Sequence, residues 1–179
     1  MNDKIIWKFP NAIVNCEWLA EKINNDNIRA YDCTTYLHYR DNDPSLPYVV
    51  ESGREQYEKS HIPNSSYIDL QSDLSDKDSP YRFTMPDLKI LSESFKKIGI
   101  GENFHTILYS RNGTQWSARI WWMLRSVGVD NVSILDGGFN EWVRLGLPNS
   151  DKILTFPESN FNFKPRDDIF IGKEPVIKA

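Results

Sequence analysis

Apolar residues recur along this chain at two different spacings. Short runs at Ile28–Cys33, Ser66–Leu70, Thr106–Tyr109 and Val132–Leu135 are rich in β-branched, aromatic and aliphatic side chains, which predicts strands. Between and around them, Cys16–Asn24, Gly53–Ser60, Pro86–Ile98 and Phe139–Leu145 read as helices. The segment after Gly113 spaces Trp116, Ile120, Met123, Leu124 and Val127 along one face of a further helix. Strands alternating with helices call for βα units and a mostly parallel sheet, an α/β fold with Thr106–Tyr109 as its buried central strand.

Local punctuation supports these boundaries. Pro86 sits near the first turn of its helix, and Gly99 and Gly101 follow its end. In the His61-Ile-Pro-Asn turn, Asn64 tolerates a left-handed backbone. Two segments lack either period. Thr34–Ser52 is polar, holds Pro44 and Pro47, and reads as a surface excursion. Phe156–Ala179 holds Pro157, Pro165 and Pro175, which discourage a helix or central strand. Yet Phe156, Phe161, Phe163, Ile169, Phe170 and Ile171 make it too apolar for a solvated linker, so it is expected to pack on the domain or on another copy. The chain therefore divides into a lead-in (1–13), a domain (14–150) and a linker-like tail (151–179).

Bulk properties narrow the function classes. The 179 residues are 40% hydrophobic and 26% charged, ordinary globular values, and suffice for one well-buried core. A net charge of -4 argues against nucleic acid and anionic membranes as partners. No apolar run approaches the ~18 residues of a spanning helix, and Met1–Trp7 lacks a secretory signal's apolar stretch. Two cysteines, Cys16 and Cys33, form neither a disulfide framework nor a zinc pattern, so no metal or cofactor is expected and the cytoplasm is the expected compartment.

The chemistry concentrates at Ser110-Arg-Asn-Gly-Thr-Gln115. A strand there enters a small polar turn that opens a helix, a junction whose backbone N–H groups and helix dipole attract anions. Arg111 and Arg119 flank it, and Gly113 lets the backbone bend. A small anion is the expected occupant of the loop. Ser110 lacks an evident base, since His105 lies about 16 Å up the same strand at ~3.3 Å per residue. Cys33 and Asp32 end the Ile28–Cys33 strand, at the sheet edge where α/β proteins bind ligands. Asp32 reads as a hydrogen-bond acceptor. Cys33 reads as either a small buried residue or a substitute thiol.

Val14-Asn-Cys-Glu-Trp-Leu19, Arg54-Glu-Gln-Tyr-Glu-Lys-Ser-His-Ile-Pro-Asn-Ser65, the Ser110 loop with Trp121-Trp122 behind it, and Asp136-Gly-Gly-Phe-Asn-Glu-Trp142 follow one another in order. Across roughly Val14 to Pro148 the chain resembles a rhodanese-like domain, in particular the N-terminal domain of tandem thiosulfate and 3-mercaptopyruvate sulfurtransferases. The resemblance implies a three-layer α/β/α fold around about five strands. It places Ser110 where active domains carry the sulfur-bearing cysteine, so the isolated chain is expected to be non-catalytic. It makes Phe163–Asp168 resemble the entry to a second domain, with that domain or a homodimer through the 156–171 tail as partner. It makes Arg54, with Glu55, Tyr57 and His61, part of a polar turn that braces the sheet, with a substrate role for Arg54, by analogy with tandem enzymes, as the other reading. The alternative is an active sulfurtransferase using Cys33 or a partner's thiol. A phosphatase of related architecture also needs a thiolate at the loop head and fits less well.

Overall fold

Alternation along two strands builds the core. In β2 (Ile28–Asp32), Ala30 faces one side of the sheet and Tyr31 the other; in β6 (His105–Tyr109), Ile107 and Tyr109 share the Ala30 side while Leu108 joins Tyr31. Strands apolar on both faces need helices on both faces. The computed structural model describes residues 9–40, 47–166, 168–170 and 176–177. The Met1–Lys8 part of the lead-in, Pro44 and Ile171 lie outside them.

The main sheet is parallel throughout, in the order β1 (Ile13–Val14), β7 (Val132–Leu135), β6, β2, β5 (Ser65–Tyr67). On one face pack α4 (Leu88–Lys97), through Leu91 and Phe95, and α5 (Gln115–Ser126), through Ile120, Met123 and Leu124. On the other pack α1 (Cys16–Lys22), through Leu19, and α6 (Gly138–Arg144), through Phe139 and Trp142. This is the expected three-layer arrangement. Caps fix helix starts: Asn15 accepts from the Trp18 amide at 2.8 Å, and Asp87 from the Lys89 amide at 2.8 Å. Asn64 takes the left-handed conformation, φ 57°. Asp136 does not cap α6; Gly137, at φ 67°, holds that position without a side-chain bond.

The Thr34–Ser52 segment departs from the expected irregular excursion. Its described residues form an antiparallel hairpin of β3 (Thr35–Tyr39) and β4 (Tyr48–Ser52), leading into α2 (Arg54–Lys59). Leu37 anchors it on the main core. A four-residue helix, α3 (Leu70–Asp73), follows β5.

Residues 151–166 form neither helix nor strand and run as a strap over the domain. His61 and Ser150 exchange backbone hydrogen bonds of 2.8 and 2.9 Å, and the Leu154 amide donates to the Tyr57 hydroxyl at 3.3 Å. Phe156 sits edge-on to Tyr31 at 5.2 Å, and Phe161 is 6% exposed within the core. Lys164 and Arg166 donate backbone hydrogen bonds to Val127 and Ser126 at 3.0 and 2.9 Å. The tail's aromatics therefore find their apolar surface on this domain. No described helix is long and apolar enough to cross a membrane.

Candidate functional site

Loop 110–114 leaves the carboxyl end of β6 and opens α5, the edge of a parallel sheet where ligands bind. It is pinned from three directions. The Asn112 side chain donates to the Thr35 carbonyl at 2.7 Å, which ties the loop to the hairpin. The Asn140 side chain donates to the Arg111 carbonyl at 2.7 Å, and the Phe139 amide to the Ser110 carbonyl at 3.1 Å, which ties it to α6. The Arg111 amide donates to the Thr34 hydroxyl at 3.1 Å. Gly138 permits the α6 contact, because a side-chain carbon there would collide with the Ser110 carbonyl.

Inside this frame the loop closes on itself. Ser110, 5% exposed, donates its hydroxyl to the Gly113 carbonyl. Gly113 adopts φ 112°, and the Gln115 side chain lies against it while donating to the Asn112 carbonyl at 3.2 Å. The amides of Asn112, Gly113 and Thr114 have no acceptor among the described residues. The loop thus offers amides on one side and a carbonyl toward Ser110. A carbonyl abstracts no proton, so this contact does not activate the hydroxyl as a nucleophile.

The two arginines expected to flank the loop are engaged elsewhere. Arg111 pairs with Asp32 at 3.1 Å, donates to the Ser60 carbonyl, and lies 3.9 Å over the Phe139 ring. Arg119 turns toward the Phe83 carbonyl at 3.3 Å and the Phe170 ring at 5.2 Å; burial lowers its pKa. Neither stands as a free cation over Ser110. Asp32 is 0% exposed and accepts from the Thr34 amide at 2.9 Å, the Thr34 hydroxyl and Arg111, as an acceptor was expected to. Burial pushes its pKa up, against the opposing pull of Arg111 and the Thr34 donors.

Cys33 follows β2 beside the loop, as the sequence order implies, but its thiol points into the core. It is 0% exposed, lies 3.6 Å from the Tyr31 carbonyl, and burial holds its pKa well above the usual thiol range. The thiol has no exposed surface from which to act at the loop. Cys16 lies beneath the turn that abuts Ser110: its thiol is 3.6 and 3.9 Å from the Asp136 and Gly138 carbonyls. Burial, followed by the charges of Glu141, Glu17 and Asp136, pushes its pKa up to about 11. Arg54 is not at the loop. It opens α2 and lines a separate cavity with Tyr67, Lys97 and Phe156.

Sequence reading missed Thr34, which bridges Asp32 and Arg111, and Asn140, which fixes the loop from α6. A hydroxyl two residues after the acid that ends β2 was the available signal for Thr34. Nothing in the pattern singled out Asn140.

The comparisons agree with this architecture. Human 3-mercaptopyruvate sulfurtransferase is 33% identical over 141 residues, covering 78% of this chain and 46% of that protein. Chicken thiosulfate sulfurtransferase is 29% identical over 143 residues, covering 76% and 46%. The crystal structure of SseA, a 3-mercaptopyruvate sulfurtransferase from Escherichia coli, superposes with a TM-score of 0.76 at 28% identity, covering 94% of this chain and 61% of that one. The chain spans about half the length of the curated relatives it matches. With residues 15–145 matching the Rhodanese-like domain, the chain belongs to the rhodanese family.

Proposed function

We propose that this chain is a sulfurtransferase-family domain that does not itself carry sulfur, with Ser110 at the position of the sulfur-bearing cysteine. The Ser110–Gly113 contact carries the reading. Sulfur transfer needs a thiolate that attacks sulfur and holds it as a persulfide. Here the loop head is a hydroxyl donating to its own loop's carbonyl, and both cysteines of the sequence are buried with raised pKa values. The names of the relatives support thiosulfate or 3-mercaptopyruvate as the sulfur donor of the assembled enzyme. Their greater length supports a second rhodanese domain as partner, with this chain as the N-terminal half of a tandem enzyme. A stand-alone binding module, or a homodimer through the tail, is the other arrangement the same loop serves. The unpaired Asn112, Gly113 and Thr114 amides support a small anion as loop ligand. Two free cysteines suit a reducing compartment such as the cytoplasm.

The test is thiocyanate production from thiosulfate, or from 3-mercaptopyruvate, and cyanide by the isolated chain. No turnover above background is expected. Turnover that persists after mass spectrometry has excluded contaminants overturns the reading, and its loss in Cys33→Ser assigns it to that thiol.

A further inference from the structure

Beside the outer edge of β5, strap residues 153–156 roof a cavity of about 250 Å³ that no residue of the Ser110 loop lines. Two cations line it, Arg54 from α2 and Lys97 from the last turn of α4. Among the described residues neither side chain makes a hydrogen bond or ion pair; Arg54 only lies over the Tyr67 ring at 4.9 Å. The acid in the lining, Asp73, already accepts from the Asp69 amide at 2.9 Å and the Ser72 hydroxyl at 3.0 Å. One positive charge is left in excess. Ile68 donates its amide across to Asp32 of β2, so strand alternation turns the Tyr67 amide to the free edge, where it has no acceptor among the described residues. Tyr67, Ile98, Leu154 and Phe156 supply the apolar part of the wall.

We propose that this cavity binds a small monocarboxylate bearing a short apolar or aromatic arm. A single carboxylate matches the excess charge, whereas a doubly charged phosphate overshoots it. The guanidinium fork of Arg54 receives a carboxylate through two parallel hydrogen bonds, and Lys97 adds a point charge. The volume lies below the roughly 300–1,000 Å³ of sites for drug-sized molecules, which sets the small size of the ligand. The site is independent of the Ser110 loop and of the reading given to it.

Titration of the full chain with phenylacetate, followed by amide nitrogen–proton correlation spectra, tests this. Saturable shifts at Tyr67, Ile98 and Leu154 are expected, with affinity falling about tenfold or more in the Arg54→Gln, Lys97→Gln double variant and by a smaller factor in Arg54→Lys, which keeps the charge but not the fork. Shifts confined to residues 110–114, or affinity unchanged in the double variant, overturn the site. Tighter binding of inorganic phosphate than of phenylacetate overturns the ligand class. If the double variant loses its dispersed spectrum, Lys97→Gln alone decides, with a clear loss of affinity expected and none overturning the proposal.

Discussion

Asp32 and Arg111 lie 79 residues apart in sequence and 3.1 Å apart at the carboxyl edge of the sheet. Their pairing takes the loop's nearest cation out of the loop. What remains to attract an anion is the set of unpaired backbone amides and the start of α5, a weaker field than an arginine pointing inward. The Ser110 environment is therefore set by β2, a strand the loop does not belong to.

That environment makes the behaviour of an introduced thiol predictable. In Ser110→Cys the thiol inherits the Gly113 carbonyl as its acceptor, which favours the protonated form. Its pKa, read from alkylation rate against pH, is expected at or above the ~8.5 of free cysteine, with at most trace sulfur transfer. A value near 7 would show that the loop turns amides, not a carbonyl, toward the thiol.

Removing the acid should be costly. Asp32→Ala leaves the Arg111 guanidinium largely buried without its carboxylate, a loss of about 3–5 kcal/mol. Urea unfolding measures it, and a variant within about 1 kcal/mol of the parent would mean that solvent reaches Arg111 freely. Asp32→Asn, which keeps an acceptor for Thr34, should cost less.

The strap should behave as part of the fold. Ending the chain at Asp151 removes Phe161 from the core and the Pro157 carbonyl from Arg29, for a loss of about 3 kcal/mol. For a domain of this size that lowers the calorimetric midpoint by roughly 6–12 °C. An unchanged midpoint would assign the strap no structural role. Arg29 is 7% exposed, donates to the Gly99 carbonyl and lies 3.4 Å over Phe104, so Arg29→Met should destabilise by about 2–4 kcal/mol even with the strap present.

His105 supplies a pH dependence with a definite sign. It sits edge-on to Trp18 at 5.4 Å with Nε2 2.7 Å from the Ser133 hydroxyl, and burial lowers its pKa below the ordinary 6.5. The unfolded chain then binds more protons than the folded one in the window below 6.5. Stability falls as pH drops from about 6.5 through the lowered folded value, and the loss is complete below it. Denaturant midpoints at pH 7.5 and 5.5 should differ less in His105→Gln than in the parent; an equal difference would place the titration elsewhere.

Period and composition disclosed the central elements well because burial dictates both. The strands around Ala30 and Leu108 are apolar on two faces, and α5 shows its apolar stripe directly, although the five residues picked from periodicity omit Trp121, which is also buried. The hairpin was hidden because its strands pair mainly with each other and, Thr35 apart, carry exposed or half-buried residues, so Tyr39 and His38 read as loop. The strap was hidden because it has no period; each of its aromatics answers to a different element beneath it. The loop's location was plain, but the orientation of Arg111 was not, since it depends on an acid in another strand. Cys33 illustrates the same limit: its place at the strand end was legible, while the side of the sheet it faces is a matter of parity that only the packed helices reveal.

The strap also sets an order of events during synthesis. Every strand and helix of the three layers is made before Phe161 is, yet Phe161 fills part of the core on the α4 and α5 side. A nascent chain that has released residues up to 150 can pair its sheet but leaves that side open, with Tyr31 lacking Phe156 and Arg29 lacking one of its carbonyl partners. Final closure therefore waits for translation to pass the strap. Until then the exposed patch is a surface for chaperones, or for another nascent copy, rather than a finished wall.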